Sequence, residues 1–258
     1  MSHYTYLIIG GGMAANAAVL GIREVDSVGS VGIISAEGAP PYKRPPLSKS
    51  LWKGRPLEDI WYNLENLGVK FHLERTVKAI DGPNKRLVDE KGTNYTFEKL
   101  LMATGGTPRR FPFGDDRVIY YRTVADYRRL RALSEGGGRF AVVGGGFIGM
   151  EIAAALAMNG KDVVMVFPDE AIGSRLFPRE LGIFLNGFYR EKGVEVIPET
   201  SITGIGLHGE RIVVKTRDKK TSNEFEIPVD GVVAGIGVSP NVELAREMGL
   251  AVERLGTG

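Results

Sequence analysis

Two glycine-rich segments of this chain have the residue types and the spacing to hold a diphosphate. The first reads Tyr6-Leu-Ile-Ile-Gly10-Gly-Gly12-Met-Ala-Ala15 and the second Phe140-Ala-Val-Val-Gly144-Gly-Gly146-Phe-Ile-Gly149. Each is an apolar run, a glycine turn and an Ala-rich helical stretch. In such a segment the first glycine makes the tight turn and the second lets the backbone approach a pyrophosphate. The third small residue lets helix pack on strand. The helix then offers unpaired N–H groups and the positive end of its dipole to the phosphates. An acidic side chain beyond the next strand can accept hydrogen bonds from a ribose diol. Glu37 follows Val31-Gly-Ile-Ile-Ser35, and Asp169 and Glu170 follow Val163-Val-Met-Val166. Two such turns imply two nucleotides on one chain, and a hydride or electrons passed between them. Glycine makes up 35 of 258 residues, so bare glycine spacing is a weak signal and the flanking pattern carries the reading. The alternative is one true nucleotide site beside a purely structural copy.

The elements that must position these turns recur in both halves. Behind the first turn, residues 76–80, 85–89 and 94–97 read as short β segments that lead to a strand at 99–103. Behind the second, residues 201–205, 211–216 and 224–228 lead in the same way to 231–234. Asp81-Gly82-Pro83, Lys91-Gly92 and His208-Gly209 punctuate them as turns. Each unit is expected to be a parallel α/β layer with a small antiparallel meander as crossover. Residues 111–116 suit an exposed connector, and 124–134 read as a helix ended by Glu135-Gly-Gly-Gly138. Arg128, Arg129 and Arg131 give that helix a basic face, read as solvated surface, with docking of an acidic protein as the sharper alternative.

Composition narrows the chemistry. Apolar content of 43% and charged content of 25% are those of an ordinary globular protein, and a net charge of +2 demands neither nucleic acid nor a membrane as partner. The apolar stretch at 140–158 carries glycines and Glu151, which suits strand, turn and helix better than a membrane span. No basic segment precedes the first apolar run, which glycines interrupt, so a cytoplasmic protein is expected. Cysteine is absent, which excludes disulfides, thiolate metal sites and redox chemistry through a protein thiol. His3, His72 and His208 are scattered without metal-ligand spacing, so no metal is expected. The chemistry must come from bound cofactors, with the protein supplying position and electrostatics.

The run Pro41-Tyr42-Lys-Arg44-Pro45-Pro46-Leu47-Ser48-Lys49, together with the two turns, resembles the flavoprotein pyridine-nucleotide reductases. The resemblance covers essentially the whole chain. It is closest to the cysteine-free branch, which includes rubredoxin and putidaredoxin reductases, the reductase components of aromatic dioxygenases, and apoptosis-inducing factor. It implies an α/β fold of two Rossmann-like three-layer (ββα) nucleotide-binding domains, the second inserted in the first. FAD would occupy a domain of residues 1–111 plus 237–258, and NAD(P)H a domain of residues 112–236.

Residue by residue, the resemblance implies that Gly10, Gly12 and Ala14 approach the FAD pyrophosphate and Glu37 its adenosine ribose. Arg44 and Lys49 would lie along the FAD, and Val77 would meet the adenine through its backbone. Ala103, Thr104, Gly105 and Arg109 match the family's Ala-Thr-Gly strand end and its following arginine. Gly144, Gly146 and Gly149 would hold the NAD(P)H pyrophosphate, with Phe147 and Ile148 against the nicotinamide and Gly237 nearby. Lys49 and Glu151 would form the catalytic pair, an ammonium that stabilises reduced flavin and a glutamate that orients it. Without the resemblance, Lys49 reads as a solvated lysine and Glu151 as an acid in a helix's first turn. Phe167 stands where many relatives have an acid, which leaves the ribose contact to Asp169 or Glu170. No arginine follows that strand at once, Arg175 being further on, so NADH is favoured over NADPH. Trp52 and Trp61 read as packing residues.

The resemblance also implies a further glycine turn and an interface domain beyond Gly258, so the chain is expected to be a fragment. The activity expected is hydride transfer from NAD(P)H to flavin, then electron transfer to an iron–sulfur carrier, a quinone or oxygen. A redox-responsive NADH-binding protein and a silent nucleotide-binding fragment are the rivals. Homodimerisation stays open.

Overall fold

The computed structural model describes residues 2–253; the Gly256-Thr257-Gly258 end, where the first domain is expected to be still returning, lies outside them. The chain divides into two compact units, one of residues 1–44, 57–107 and 239–258, the other of residues 45–56 and 108–238. The short segment 45–56 therefore belongs with the second unit although it lies within the first in sequence.

The first unit opens with β1 (Ser2–Ile9), α1 (Met13–Val25) and β2 (Val31–Ile34). It continues through β3 (Val69–His72), β4 (Val77–Asp81), β5 (Arg86–Asp89) and β6 (Asn94–Met102). Its six-stranded sheet has the order β3-β2-β1-β6-β5-β4, parallel from β3 to β6 and antiparallel from β6 to β4. Ile8, Ala15, Val19, Ile33 and Val69 join α1 to one face of the sheet, and Leu7, Ile9, Ile34, Leu87 and Phe97 pack on the other. The separate strands expected at 94–97 and 99–103 are one. β1 runs beside β6 from Tyr95 to Met102, so the meander's last strand is also a strand of the parallel sheet.

A short strand β7 (Gly106–Pro108) leads onward. The second unit then contains β8 (Val118–Tyr120), α2 (Val124–Gly136), β9 (Arg139–Val143), α3 (Phe147–Met158) and β10 (Asp162–Val166). There follow α4 (Arg179–Glu191), β11 (Val194–Ile197), β12 (Thr200–His208), β13 (Arg211–Asp218), β14 (Glu224–Val229) and β15 (Gly231–Ala234). The parallel sheet has the order β11-β10-β9-β15-β8, and β12-β13-β14 form a separate antiparallel sheet. Here meander and return strand do stay apart. Asp230 stands between them, and its carboxylate accepts the amides of Gly138 and Arg139 at 2.7 and 2.8 Å. That ties the chain to the start of β9 before β15 begins.

The connector at 111–116 is only partly exposed as expected: Phe111 and Phe113 stack at 5.0 Å and pack on the core beneath the meander. The helix expected at 124–134 starts at a capping box in which Thr123 and Asp126 exchange side-chain and backbone bonds. The chain returns through β16 (Val238–Pro240) and α5 (Glu243–Glu247). Among the described residues, no helix is long and apolar enough to cross a membrane.

The meander of the first unit turns on a buried carboxylate. Asp89 is shut from solvent and accepts the amides of Lys91 and Thr93, at 3.0 and 2.8 Å, and the Tyr95 hydroxyl at 2.9 Å. Burial pushes the Asp89 pKa up, but these donors outweigh it and hold the carboxyl below its usual range. Burial and the Asp89 contact push Tyr95 up to about 12. A carboxyl depressed in the folded state stabilises above its unfolded pKa, about 3.9, and that contribution is lost as pH falls through the folded value. Asp89→Asn should destabilise the first unit by about 1–3 kcal/mol at neutral pH. Urea titrations should show its deficit closing as the medium is acidified below roughly pH 4.

Candidate functional site

In both units the first turn glycine is pinned between strands. Gly10 leaves β1 at φ +112°, and its amide donates to Ile34 O at 2.8 Å; Gly144 leaves β9 at φ +111° and donates to Val166 O at 2.9 Å. A side chain at either would collide with a backbone carbonyl, Ala103 for the first and Gly235 for the second. Positive φ and close approach together require glycine at these two positions.

The next motif glycines differ. Gly12 and Gly146 are the N-caps of α1 and α3, at φ −96° and −82°, with no side-chain cap and no acid in the first turn. A Cβ at either would meet nothing within 4 Å. Neither backbone conformation nor packing calls for glycine there. What the missing Cβ leaves is an open approach to uncapped helix amides, which fits a phosphate group. At the third position Gly149 is enclosed, since a Cβ would run into the Gly144 carbonyl. Its counterpart in α1 is Ala15, fully buried; Ala14 is exposed in the first turn, where its amide rather than its packing matters. Phe147 is 56% exposed and meets Phe177 edge-on, while Ile148 is half-buried.

The two candidate ribose sites are built differently. Glu37 receives the Tyr42 hydroxyl at 2.6 Å on one oxygen and the Arg44 guanidinium on the other. Arg44 lies over the Tyr42 ring at 5.1 Å, so the Pro-Tyr-x-Arg run folds back onto the acid. Val77 is buried at the start of β4. Ala103, Thr104 and Gly105 follow β6, and the Thr104 hydroxyl donates to the carbonyl of Asn241 at 2.6 Å while the Asn241 amide returns to Thr104 O at 3.0 Å. Asn241 carries no motif and was not anticipated.

In the second unit Phe167 is fully buried, its ring beneath Gly145, where a Cβ would stand 3.1 Å from it. Asp169 is the third residue past β10, as Glu37 is past β2. Glu170 is committed to Arg179, whose guanidinium donates to both its oxygens and holds its pKa below the usual range. Asp169 is the freer acid, with Arg175 Nε at 3.9 Å. Arg175, six residues further along the chain, is thus a neighbour of the ribose candidate. α4 fixes this loop by turning Asn186 inward, where it accepts from Ile172 N at 2.9 Å and donates to Glu170 O at 3.1 Å. Gly237 accepts from the Arg109 amide at 3.0 Å, and the Arg109 side chain is exposed.

Lys49 and Glu151 come together. Lys49 Nζ donates to Glu151 Oε1 at 2.7 Å, and the hydroxyl of Ser48, which sequence reasoning missed, donates to Oε2 at 2.5 Å. Glu151 is the fifth residue of α3 and so lies in its second turn, not the first. Segment 45–56 is anchored by the Trp52 indole and the Tyr121 hydroxyl, which both donate to Leu47 O, at 2.9 and 2.5 Å. Asn159 adds a bond to Trp52 O at 3.1 Å. The basic face expected on α2 is partly consumed in this packing: Arg131 stacks on Trp52 at 5.3 Å, and Arg129 donates to the Asp116 carbonyl. Trp61 meets Tyr42 edge-on. An open cavity of about 320 Å³ borders the pair, lined also by Trp52, Lys53 and Met158.

This fold, with a glycine turn at an uncapped helix start in each unit, matches a known family. Residues 4–257 match the family model of the pyridine nucleotide-disulphide oxidoreductases, and the chain belongs to that family. It is 35% identical to the anthranilate 1,2-dioxygenase system ferredoxin–NAD(+) reductase component of Burkholderia cepacia, over 98% of this chain and 63% of the relative. It is 34% identical to the peroxisomal monodehydroascorbate reductase 4 of Arabidopsis thaliana, over 98% of this chain and 56% of the relative. Among solved structures it resembles putidaredoxin reductase in its covalent complex with putidaredoxin, with a TM-score of 0.88 and 25% identity over 98% of this chain and 63% of that one. The chain thus spans 56% to 63% of the length of these proteins.

The motif glycines yield a paired prediction. Gly146→Ala should fold with a loss of no more than about 1 kcal/mol, the cost of alanine at an N-cap, because its Cβ has room, yet weaken NADH binding by at least about tenfold, or about 1.4 kcal/mol. Gly149→Ala should lose about 1–3 kcal/mol of stability, because α3 must shift off the turn. Thermal melts and fluorescence titration with NADH measure both; native NADH affinity in Gly146→Ala would remove the phosphate from this turn.

Proposed function

We propose that this chain is the two-nucleotide core of an FAD-dependent NAD(P)H oxidoreductase, with FAD held by residues 1–111 plus 237–258 and NAD(P)H by residues 112–236. The observation that carries the reading is the open, uncapped helix start behind Gly12 and Gly146, at which nothing in the fold itself asks for glycine. Bound FAD would supply the capacity to take two electrons from a reduced nicotinamide and release them to another acceptor.

The chain's own residues have the following roles. The amides behind Gly10 and Gly12, including that of Ala14, receive the FAD diphosphate, and Glu37 receives its ribose. Arg44, Val77, Ala103, Thr104, Gly105 and Arg109 complete the FAD side. Gly144, Gly146 and Gly149 shape the nicotinamide dinucleotide's diphosphate site, and Asp169, with Glu170 as alternative, takes the ribose. Phe147, Ile148 and Gly237 border the nicotinamide. Lys49 brings a positive charge to the reduced cofactor, and Glu151 orients it. The carboxylate of Asp169, with Arg175 Nε at 3.9 Å as a loose partner, supports NADH over NADPH, because an acid accepts from a ribose hydroxyl and repels a phosphate.

The acceptor proposed is an iron–sulfur protein such as a ferredoxin or rubredoxin, in a cytoplasmic setting. Support comes from the Burkholderia relative, whose name specifies a ferredoxin. The Arabidopsis relative's name specifies monodehydroascorbate instead, so the acceptor needs its own test.

Anaerobic stopped-flow mixing of the FAD-reconstituted chain with NADH should bleach the flavin, and ferredoxin should restore it faster than monodehydroascorbate does. Lys49→Met should slow bleaching by roughly ten- to a hundredfold. Failure to take up FAD, or reduction unaffected by Lys49→Met, would overturn the reading. Faster recovery with monodehydroascorbate would replace the acceptor.

A further inference from the structure

We propose that Ser48 is a positioning residue for the Lys49–Glu151 pair, a clamp that holds the carboxylate so that one oxygen always faces the lysine. The proposal rests on the reading of that pair as serving bound flavin.

An exposed lysine and a glutamate do not hold one another firmly. Lys49 is 54% exposed, and a pair of that kind gains little in water while immobilising two flexible side chains. What sets this pair apart is the third group. Ser48 is buried, and its hydroxyl occupies Glu151 Oε2 at 2.5 Å, which leaves Oε1 for Lys49 at 2.7 Å. Rotation of the carboxylate would break both bonds together.

Two consecutive side chains reach one carboxylate only because the backbone is bent between them. In a regular strand or helix, neighbouring side chains diverge. Lys49 lies at φ −127° and ψ −95°, outside both helical and extended conformations, at the junction of two short 3-10 turns, Pro45–Ser48 and Ser50–Lys53. The bend is held from both sides. Lys49 N donates to Pro46 O at 3.1 Å, and Trp52 N donates to Lys49 O at 3.2 Å. The indole of Trp52 and the hydroxyl of Tyr121 secure Leu47 O. Ser48 thus acts from a rigid base, and the side-chain freedom of Glu151 is removed before any cofactor arrives. A positioned charge of this kind needs no reorganisation when the reaction occurs.

The first test uses the chain as isolated. The ¹⁵N relaxation of the Lys49 ammonium, assigned with Lys49→Arg, should show an order parameter well above that of exposed Lys53. Ser48→Ala should cut it by roughly half, as should Glu151→Gln, while Ser48→Thr, which keeps the hydroxyl, should retain it. Melting temperatures serve as the folding control. The second test uses the FAD-reconstituted chain, in which Ser48→Ala should shift the flavin midpoint potential in the same negative direction as Lys49→Met, and Ser48→Thr should not. An ammonium that stays ordered in Ser48→Ala but not in Glu151→Gln would overturn the clamp. Loosening of Lys49 in Ser48→Ala, with a potential that neither Ser48→Ala nor Lys49→Met moves, would uphold the clamp and sink the flavin reading of the pair.

Discussion

Everything in this fold that concerns a nucleotide depends on one hydrogen bond made twice. The amide of the first turn glycine donates to the last carbonyl of the neighbouring strand, Gly10 to Ile34 and Gly144 to Val166. That bond sets where the chain leaves the sheet and reverses. It obliges a positive φ and forces the turn against a second backbone segment, which excludes any side chain. The direction of the following helix is then decided, and with it the direction of the helix's unpaired amides. The acid beyond the second strand is placed by the same bond, because the carbonyl that accepts it lies three residues before Glu37 in one unit and before Asp169 in the other.

Around that shared device the two halves have drifted apart in ways that follow from single residues. In the first unit the meander's last strand runs on into the parallel sheet, with β1 as neighbour along nearly its whole length. In the second, Asp230 caps two amides at the base of β9 and divides meander from return strand. The first unit closes its meander with a buried carboxylate, Asp89, under a tyrosine hydroxyl. The second has an apolar core there, around Ile205, Val214 and Ile227. The turn is common to both units, and what surrounds it differs.

Much of this was legible from local pattern. The glycine turns, most strands of both meanders and the α2 helix follow from periodicity and turn residues, which act over a few positions. The Lys49–Glu151 contact joins residues 102 apart, and only resemblance to a family could suggest it. The rest was hidden for a common reason. Ser48 on Glu151, Tyr121 on Leu47 and Asn241 on Thr104 are contacts made by hydroxyls across 103, 74 and 137 residues, for which the sequence offers no spacing signal. Periodicity says which face a residue is on, not which partner a hydroxyl will find. The placing of segment 45–56 with the second unit is of the same kind, since its ties to that unit include a phenol and an asparagine, Tyr121 and Asn159, far along the chain.

The two candidate ribose acids carry the last asymmetry between the units. An ionised carboxylate has about four acceptor sites. Glu37 already spends some of them on Tyr42 and Arg44, and those donors fix its orientation while leaving capacity for a diol. Asp169 has a loose neighbour, Arg175 at 3.9 Å, and sits on a loop held through the backbone by Asn186. A nucleotide at the first unit would meet an acid whose freedom has already been lost, so binding costs less ordering. One at the second unit must order the acid as it arrives and release it as it leaves. In the proposed function this difference suits a cofactor that stays in the first unit and a co-substrate that exchanges at the second, although both are held by the same turn.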